Sequence, residues 1–135
     1  MKIDSSFGTI DIAVSGLSAQ DKNISLISSN VANAQTTDNG SGQPYRRIEA
    51  IFKTDGDDGI GGVTLDDIAE DQSPFQKVLK PGHPSADENG YVSMPNVNLP
   101  IEMMNLAMAT RSYQANAAVL KRYQSMVETT LELLK

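Results

Sequence analysis

From Ile101 to Leu134 the chain contains neither glycine nor proline, and apolar residues recur on almost every side of the helix that such a run predicts. Leu106, Ala109, Tyr113, Leu120, Tyr123, Val127 and Leu134 follow three-four spacing and form one seam. Ile101, Met104, Met108, Ala115, Ala118, Val119, Met126 and Leu131 lie off that seam. With Asn98 as cap and Pro100 in the first turn, where a missing N–H costs nothing, the helix ends at Leu134. It is about 50 Å long at a rise of 1.5 Å per residue. A helix apolar on so many sides is normally buried on several of them. One partner helix covers one side only, so other molecules are expected to cover the rest. The competing reading is that the middle of the chain folds over this helix.

A second helix is predicted from Ser6 to Asn33, capped by Asp4 or Ser5. Phe7, Ile10, Val14, Leu17, Ile24 and Val31 alternate by threes and fours, with gaps at Asp21 and Ser28. A period near 3.5 favours packing of helix on helix with a slight supercoil. Gly16 lies beside this stripe, where an interior glycine suggests close approach by a neighbour.

Between the helices the composition changes. Residues 37–98 hold only 18 of the 53 apolar residues but eight of ten Gly and five of six Pro, so this segment is not helical. It carries eleven acidic and five basic residues, which equals the whole net charge of -6. Alternation in Tyr45–Lys53 predicts a half-buried strand, and Gly62–Glu70, Phe75–Lys80 and Tyr91–Met94 predict three shorter ones. The last follows an Asn89–Gly90 turn signal. These strands predict a small sheet or an extended hairpin arm. The fold class is therefore α+β. Residues 1–36 and 99–135 form a discontinuous domain of two antiparallel helices paired as a coiled coil. Residues 37–98 form a β-rich, acidic insertion.

The residues do not point to catalysis. The chain has no Cys, which removes disulfides, thiol nucleophiles and Cys-ligated zinc. His83 is the single histidine and stands in a Pro-rich loop without an evident serine partner. Asp55, Asp57 and Asp58 suggest a calcium loop, but the sixth and twelfth positions are Ile60 and Asp66, where Gly and Glu are required. Phosphate loops and dinucleotide fingerprints are absent. No metal, cofactor or catalytic residue is assigned. The acidic balance, and basic residues limited to pairs such as Arg46-Arg47 and Lys121-Arg122, exclude a nucleic-acid footprint. No apolar run reaches the roughly 18 residues of a membrane span, so no membrane insertion is expected. The first twenty residues do not read as a secretory signal peptide, so any export is expected to use another route.

Two helices and an insertion would also suit a helical-hairpin adaptor or secretion-system protein with a separate binding insertion. The motifs favour another class. Leu17-Ser-Ala-Gln and Ser28-Ser-Asn30-Val-Ala32-Asn33-Ala resemble the amino-terminal signature of bacterial flagellar rod and hook proteins. Gln43-Pro-Tyr-Arg, Gly90-Tyr91-Val-Ser-Met94-Pro95-Asn96-Val-Asn and Arg111-Ser112-Tyr113-Gln114-Ala115-Asn116 are similar to the proximal members of the basal-body rod family. By resemblance, the Met94-Pro-Asn-Val and Arg111-Ser-Tyr-Gln-Ala-Asn stretches favour this group over its sister proximal rod proteins.

The resemblance implies a structural subunit, not an enzyme, with no cofactor. Its partners would be copies of itself, neighbouring rod subunits and the flagellar type III export apparatus. It would leave the cytoplasm without a cleaved signal and stand in the periplasmic rod. There its terminal helices would polymerise around the export channel and transmit torque for motility. In that setting Ile10, Val14, Leu17, Ile24 and Val31 are expected to pack on Leu106, Tyr113, Leu120, Tyr123 and Val127 of the same chain. Met104, Met108, Ala115, Val119 and Met126 are expected to meet other subunits. The acidic insertion should face outward, since unpaired charge is costly to bury. Shortening Asp55–Gly62 should therefore leave rods intact in electron micrographs of isolated basal bodies, as exposed loop tips tolerate change.

Overall fold

The computed structural model describes residues 4–55 and 61–134, with the side chains of α1 from Ile10 onward. The cap expected at Asp4 or Ser5 and the contact expected of Phe7 rest on side chains outside the described ones, and Asp57 and Asp58 of the acidic loop lie outside the described residues. The order of elements is α1 (Asp4–Ala32), β1 (Ile48–Thr54), β2 (Val63–Glu70), β3 (Gln76–Leu79), β4 (Tyr91–Met94) and α2 (Leu99–Leu133).

Local chemistry sets the helix ends. The Asn98 side chain accepts from the Ile101 amide at 3.3 Å and caps α2, and Pro100 occupies its first turn. Past the end of α1, the Asn33 side chain donates to the Ser29 carbonyl at 2.9 Å and accepts from the Thr36 hydroxyl at 3.2 Å. This satisfies one of the carbonyls that a helix end leaves without a partner.

The two helices pack along one another in opposite directions. Asn30 near the end of α1 meets Glu102 at the start of α2, and Gly16 faces Asn116 further on. A Cβ built on Gly16 would stand 2.8 Å from the Asn116 amide nitrogen, so the missing side chain is what admits Asn116. Ala13, Ala19 and Ile27 on α1 and Ala109 on α2 are buried.

The insertion forms two separate antiparallel pairs rather than one sheet: β1 with β2, and β3 with β4. Each strand overlaps a segment expected from the sequence, with ends shifted by up to three residues. A bulge between Ile51 and Phe52 interrupts the first pair. Extra residues on one strand bend it and increase its twist. This hairpin lies on α1 and is fastened at both ends. At one end the Ile48 amide donates to Asn30 Oδ1 at 3.0 Å; at the other the Val63 amide donates to Ser15 Oγ at 3.0 Å. Neither hairpin strand packs on α2, so the insertion covers α1 and leaves α2 with α1 as its only helical or strand neighbour among the described residues. In the second pair Val92 is buried, and Gly90 takes the positive φ of 80° that lets the loop turn back into β4.

Gly62 is the residue that lets the hairpin tip settle on α1. A Cβ there would stand 2.5 Å from Ser15 Oγ and 2.9 Å from Ser15 Cβ. Gly62→Val should cost about 1–3 kcal/mol by overpacking. Hydrogen exchange should show faster exchange at the Val63 amide while the Ile48 amide, held by Asn30, stays protected.

Candidate functional site

Two features of the folded chain bear on its work. One is a buried polar node where both helices meet the insertion. The other is the outer face of α2.

Asn30 and Glu102 are each 1% exposed and touch across the helix pair, Asn30 Nδ2 donating to Glu102 Oε2 at 3.1 Å. The Asn30 amide also behaves like a strand neighbour of β1. Its Nδ2 donates to the Ile48 carbonyl at 2.8 Å and its Oδ1 accepts from the Ile48 amide at 3.0 Å. The Tyr45 hydroxyl donates to the same oxygen at 3.0 Å. Glu102 takes its counter-charge from Arg47, whose Nε donates to Glu102 Oε1 at 2.7 Å. Placed in the first turn of α2, the carboxylate also meets the positive end of the helix dipole. Arg47 extends the node outward to Glu49 and to Asp71, 3.6 Å away.

A second layer fixes Arg47 from behind. Asn96 Oδ1 accepts from the Arg47 amide at 2.8 Å. Asn96 Nδ2 and Arg46 Nη1 both donate to the Asp71 carbonyl, at 2.8 and 2.9 Å. Arg46 lies over the Phe75 ring at 4.3 Å from its centroid, a cation–π contact. The hydroxyl and amide of Ser73 donate to the Asp71 carboxylate, and these bonds hold its pKa below the usual value, with help from Arg47 and Arg46. Thus Asn30, Arg47, Asn96 and Glu102, from four parts of the chain, converge on one point. No buried side-chain nitrogen or oxygen among the described residues lacks a hydrogen-bond partner.

In the sequence Asn30 and Asn96 stand within motifs, whereas Arg47 reads as half of an isolated basic pair and Glu102 belongs to no motif. A signal was present: Glu102 is the only charged residue between Asn98 and Thr110, in the first turn of an otherwise uncharged stretch.

Around the node the residues named from the sequence fall as follows. Ile10, Leu17, Ile24, Val31, Leu106, Leu120 and Tyr123 are half-buried along the helix pair, whereas Val14, Tyr113 and Val127 stand exposed. Ile27 and Ala109 are buried there, and Ile27 was missed because it lies off the three-four series. Of the motif residues, Pro95 is buried, Asn33 and Met94 are half-buried, and Asn116 is half-buried against Gly16. Ala32, Tyr91, Arg111, Ser112, Gln114 and Ala115 are exposed. Met104, Met108, Val119 and Met126 are 57, 60, 48 and 57% exposed, and Ala115 is exposed with them. Such a strip of large apolar side chains is the kind of surface that marks an interaction site. Among the described residues no helix is long and apolar enough to cross a membrane, and no group of acidic or histidine side chains is arranged to hold a metal.

Comparison with known proteins gives this arrangement its class. Residues 10–38, which cover most of α1 and its end, match the family described as "Flagella basal body rod protein". Residues 88–133, from the turn before β4 through α2, match the family described as "Flagellar basal body rod FlgEFG protein C-terminal". The chain is 46% identical over 125 residues to the flagellar basal-body rod protein FlgC of Salmonella typhimurium, covering 91% of this chain and 93% of that protein. It is 40% identical over 127 residues to FlgC of Agrobacterium fabrum, covering 92% and 91%. With FlgC of Borreliella burgdorferi the identity is 38% over 148 residues, covering 96% and 97%. The chain therefore belongs to the flagellar basal-body rod protein family, within its FlgC group, and is a structural subunit of the basal-body rod.

The node generates a stability prediction. Glu102→Ala leaves Arg47 short of its most buried partner and Asn30 short of an acceptor, and breaking a buried pair in this way should cost about 3–5 kcal/mol. Glu102→Gln keeps an acceptor for Asn30 and should cost less. Urea unfolding followed by circular dichroism, compared through the midpoints at constant m, checks both.

Proposed function

We propose that this subunit polymerises through α1 and α2. The observation that carries the reading is the exposed strip Met104, Met108, Val119 and Met126 on a helix whose opposite side already holds α1. The insertion leaves that strip open, so neighbouring subunits supply its cover. On this reading α1 and α2 form a coiled coil. Residues 1–36 with 99–135 are the assembly domain, and residues 37–98 ride on it as an outward-facing insertion. Ile10, Leu17, Leu120 and the other seam residues hold the pair together, and Val14, Tyr113 and Val127 complete their packing only inside the polymer.

The tube so formed is the drive shaft of the basal body: it surrounds the export channel, stands in the periplasm and carries torque for motility. The subunit reaches that place through the flagellar type III export apparatus, without a cleaved signal. Its partners are copies of itself and adjoining rod subunits, and its role is structural rather than enzymatic. Membership of the FlgC group and the resemblance of the Gly90 and Arg111 stretches support this placement over the sister proximal rod proteins.

Val119→Asp tests the reading. It puts a carboxylate on the open strip, where the unpaired charge is tolerated by the single chain but costs several kcal/mol in a dry contact. The variant should be made and exported, yet leave cells non-motile, with no completed rods in isolated basal bodies. Leu120→Asp should instead damage the subunit's own helix pair and lower its stability in urea. Motile Val119→Asp cells with normal rods would show that this strip faces solvent.

A further inference from the structure

The node where the helices meet has a one-sided charge balance. Glu102 is 1% exposed, in the first turn of α2, and both its carboxylate oxygens accept, one from Asn30 Nδ2 and one from Arg47 Nε. From α1 it receives only that neutral amide. The single basic residue of α1 is Lys22, exposed and about 12 Å before Asn30 along the helix. The nearest on α2 is Arg111, exposed and about 14 Å beyond Glu102. Among the described residues the ion-pair partner of Glu102 is Arg47, which belongs to neither helix. Closing α2 on α1 alone would therefore bury a carboxylate against an amide, and an ionised group is too costly to bury without a counter-charge.

Arg47 is brought to this place by the docking of the insertion. The next residue, Ile48, exchanges both backbone hydrogen bonds with the Asn30 side chain, at 2.8 and 3.0 Å, which seats the start of β1 on α1. The Tyr45 hydroxyl holds the same Asn30 oxygen at 3.0 Å. The Arg47 side chain is 18% exposed and pairs with Glu49 and Asp71 as well, so its charge stays matched when α2 is away. The unit of α1 and β1 thus buries no unpaired charge. It can stand before α2 arrives, whereas α1 and α2 cannot close before β1 is in place.

We propose that Glu102 and Arg47 form a latch that makes pairing of the two helices conditional on the folded insertion. The α1–β1 unit forms first, and α2 closes last on the seat it offers. Asn96 Oδ1 accepts from the Arg47 amide at 2.8 Å, so the closing of α2 also fastens its own lead-in segment to β1. The carboxylate opposes pairing until the guanidinium is in place and favours it afterwards. An apolar side chain at the same position would pair the helices without that discrimination. Where α2 is an assembly surface, as proposed above, the latch keeps chains with an unfolded insertion from presenting a settled α2. The latch itself belongs to the single chain and does not depend on that reading.

Disulfide formation in a chain carrying Gly16→Cys and Asn116→Cys tests this. The chain has no other Cys, and these positions touch across the helices about 21 Å along α1 from Asn30. In dilute protein Arg47→Met should slow the intramolecular disulfide at least about tenfold. Adding Glu102→Leu should return the rate to within about threefold of the parent, because exchanging both partners of a buried pair for apolar residues is far milder than removing one. Hydrogen exchange on Arg47→Met without the cysteines should show protection lost along α2 while the β1–β2 amides stay protected. Three results would overturn the proposal: parent-like disulfide formation in Arg47→Met, a double variant no faster than Arg47→Met, or protection lost in β1–β2 as completely as in α2. Val119→Asp should leave all of these readouts unchanged, so failure of the latch and failure of polymerisation through α2 are told apart.

Discussion

The fold depends on a fully satisfied polar contact in a place where apolar packing is thin. The helices meet through Gly16 and through apolar side chains such as Leu17, Ile24, Leu106 and Leu120 that are only half-buried, so the interface provides little apolar area to hold them in place. Asn30 and Glu102 supply what that interface lacks. Each is directional, so the pair sets how far α1 and α2 slide past one another. Arg47 makes the buried carboxylate tolerable, and Ile48 gives the Asn30 amide its remaining partners. A buried polar contact is weak as a source of stability but well attested as a device for fixing register. Here it also decides where the insertion begins: β1 starts where its first residue exchanges both backbone hydrogen bonds with Asn30.

This device suits a subunit whose apolar surface lies mostly on the outside. A chain that keeps Met104, Met108 and Met126 exposed cannot rely on a deep core to choose one arrangement of its helices. Directional hydrogen bonds do so instead. The same logic explains the insertion's position. Both ends of the first hairpin are tied to α1, through Asn30 and through Ser15, and neither of its strands packs on α2.

The helices were legible because each is a long run with few breaks and a strong three-four pattern, so local propensity and periodicity agreed. The strands were legible as segments because Gly and Pro bound them. Their grouping into two pairs was not, since the bulge between Ile51 and Phe52 and the route from Glu70 to Gln76 depend on contacts made elsewhere. The node was the least legible part. Arg47 lies 55 residues from Glu102, and Asn30 lies 72 residues from it. Nothing local to Arg47 distinguishes it from a solvated surface arginine.

The sequence by itself determined that this chain has two long helices, an acidic strand-bearing insertion and more apolar helix surface than it can cover alone. Those properties follow from composition and period, which act over neighbouring residues. Only the tertiary structure decided which helix the insertion covers and which polar side chains are buried. Such outcomes rest on distances between residues far apart in the chain. A periodic pattern shows that a face is apolar, but geometry alone shows what already stands against it.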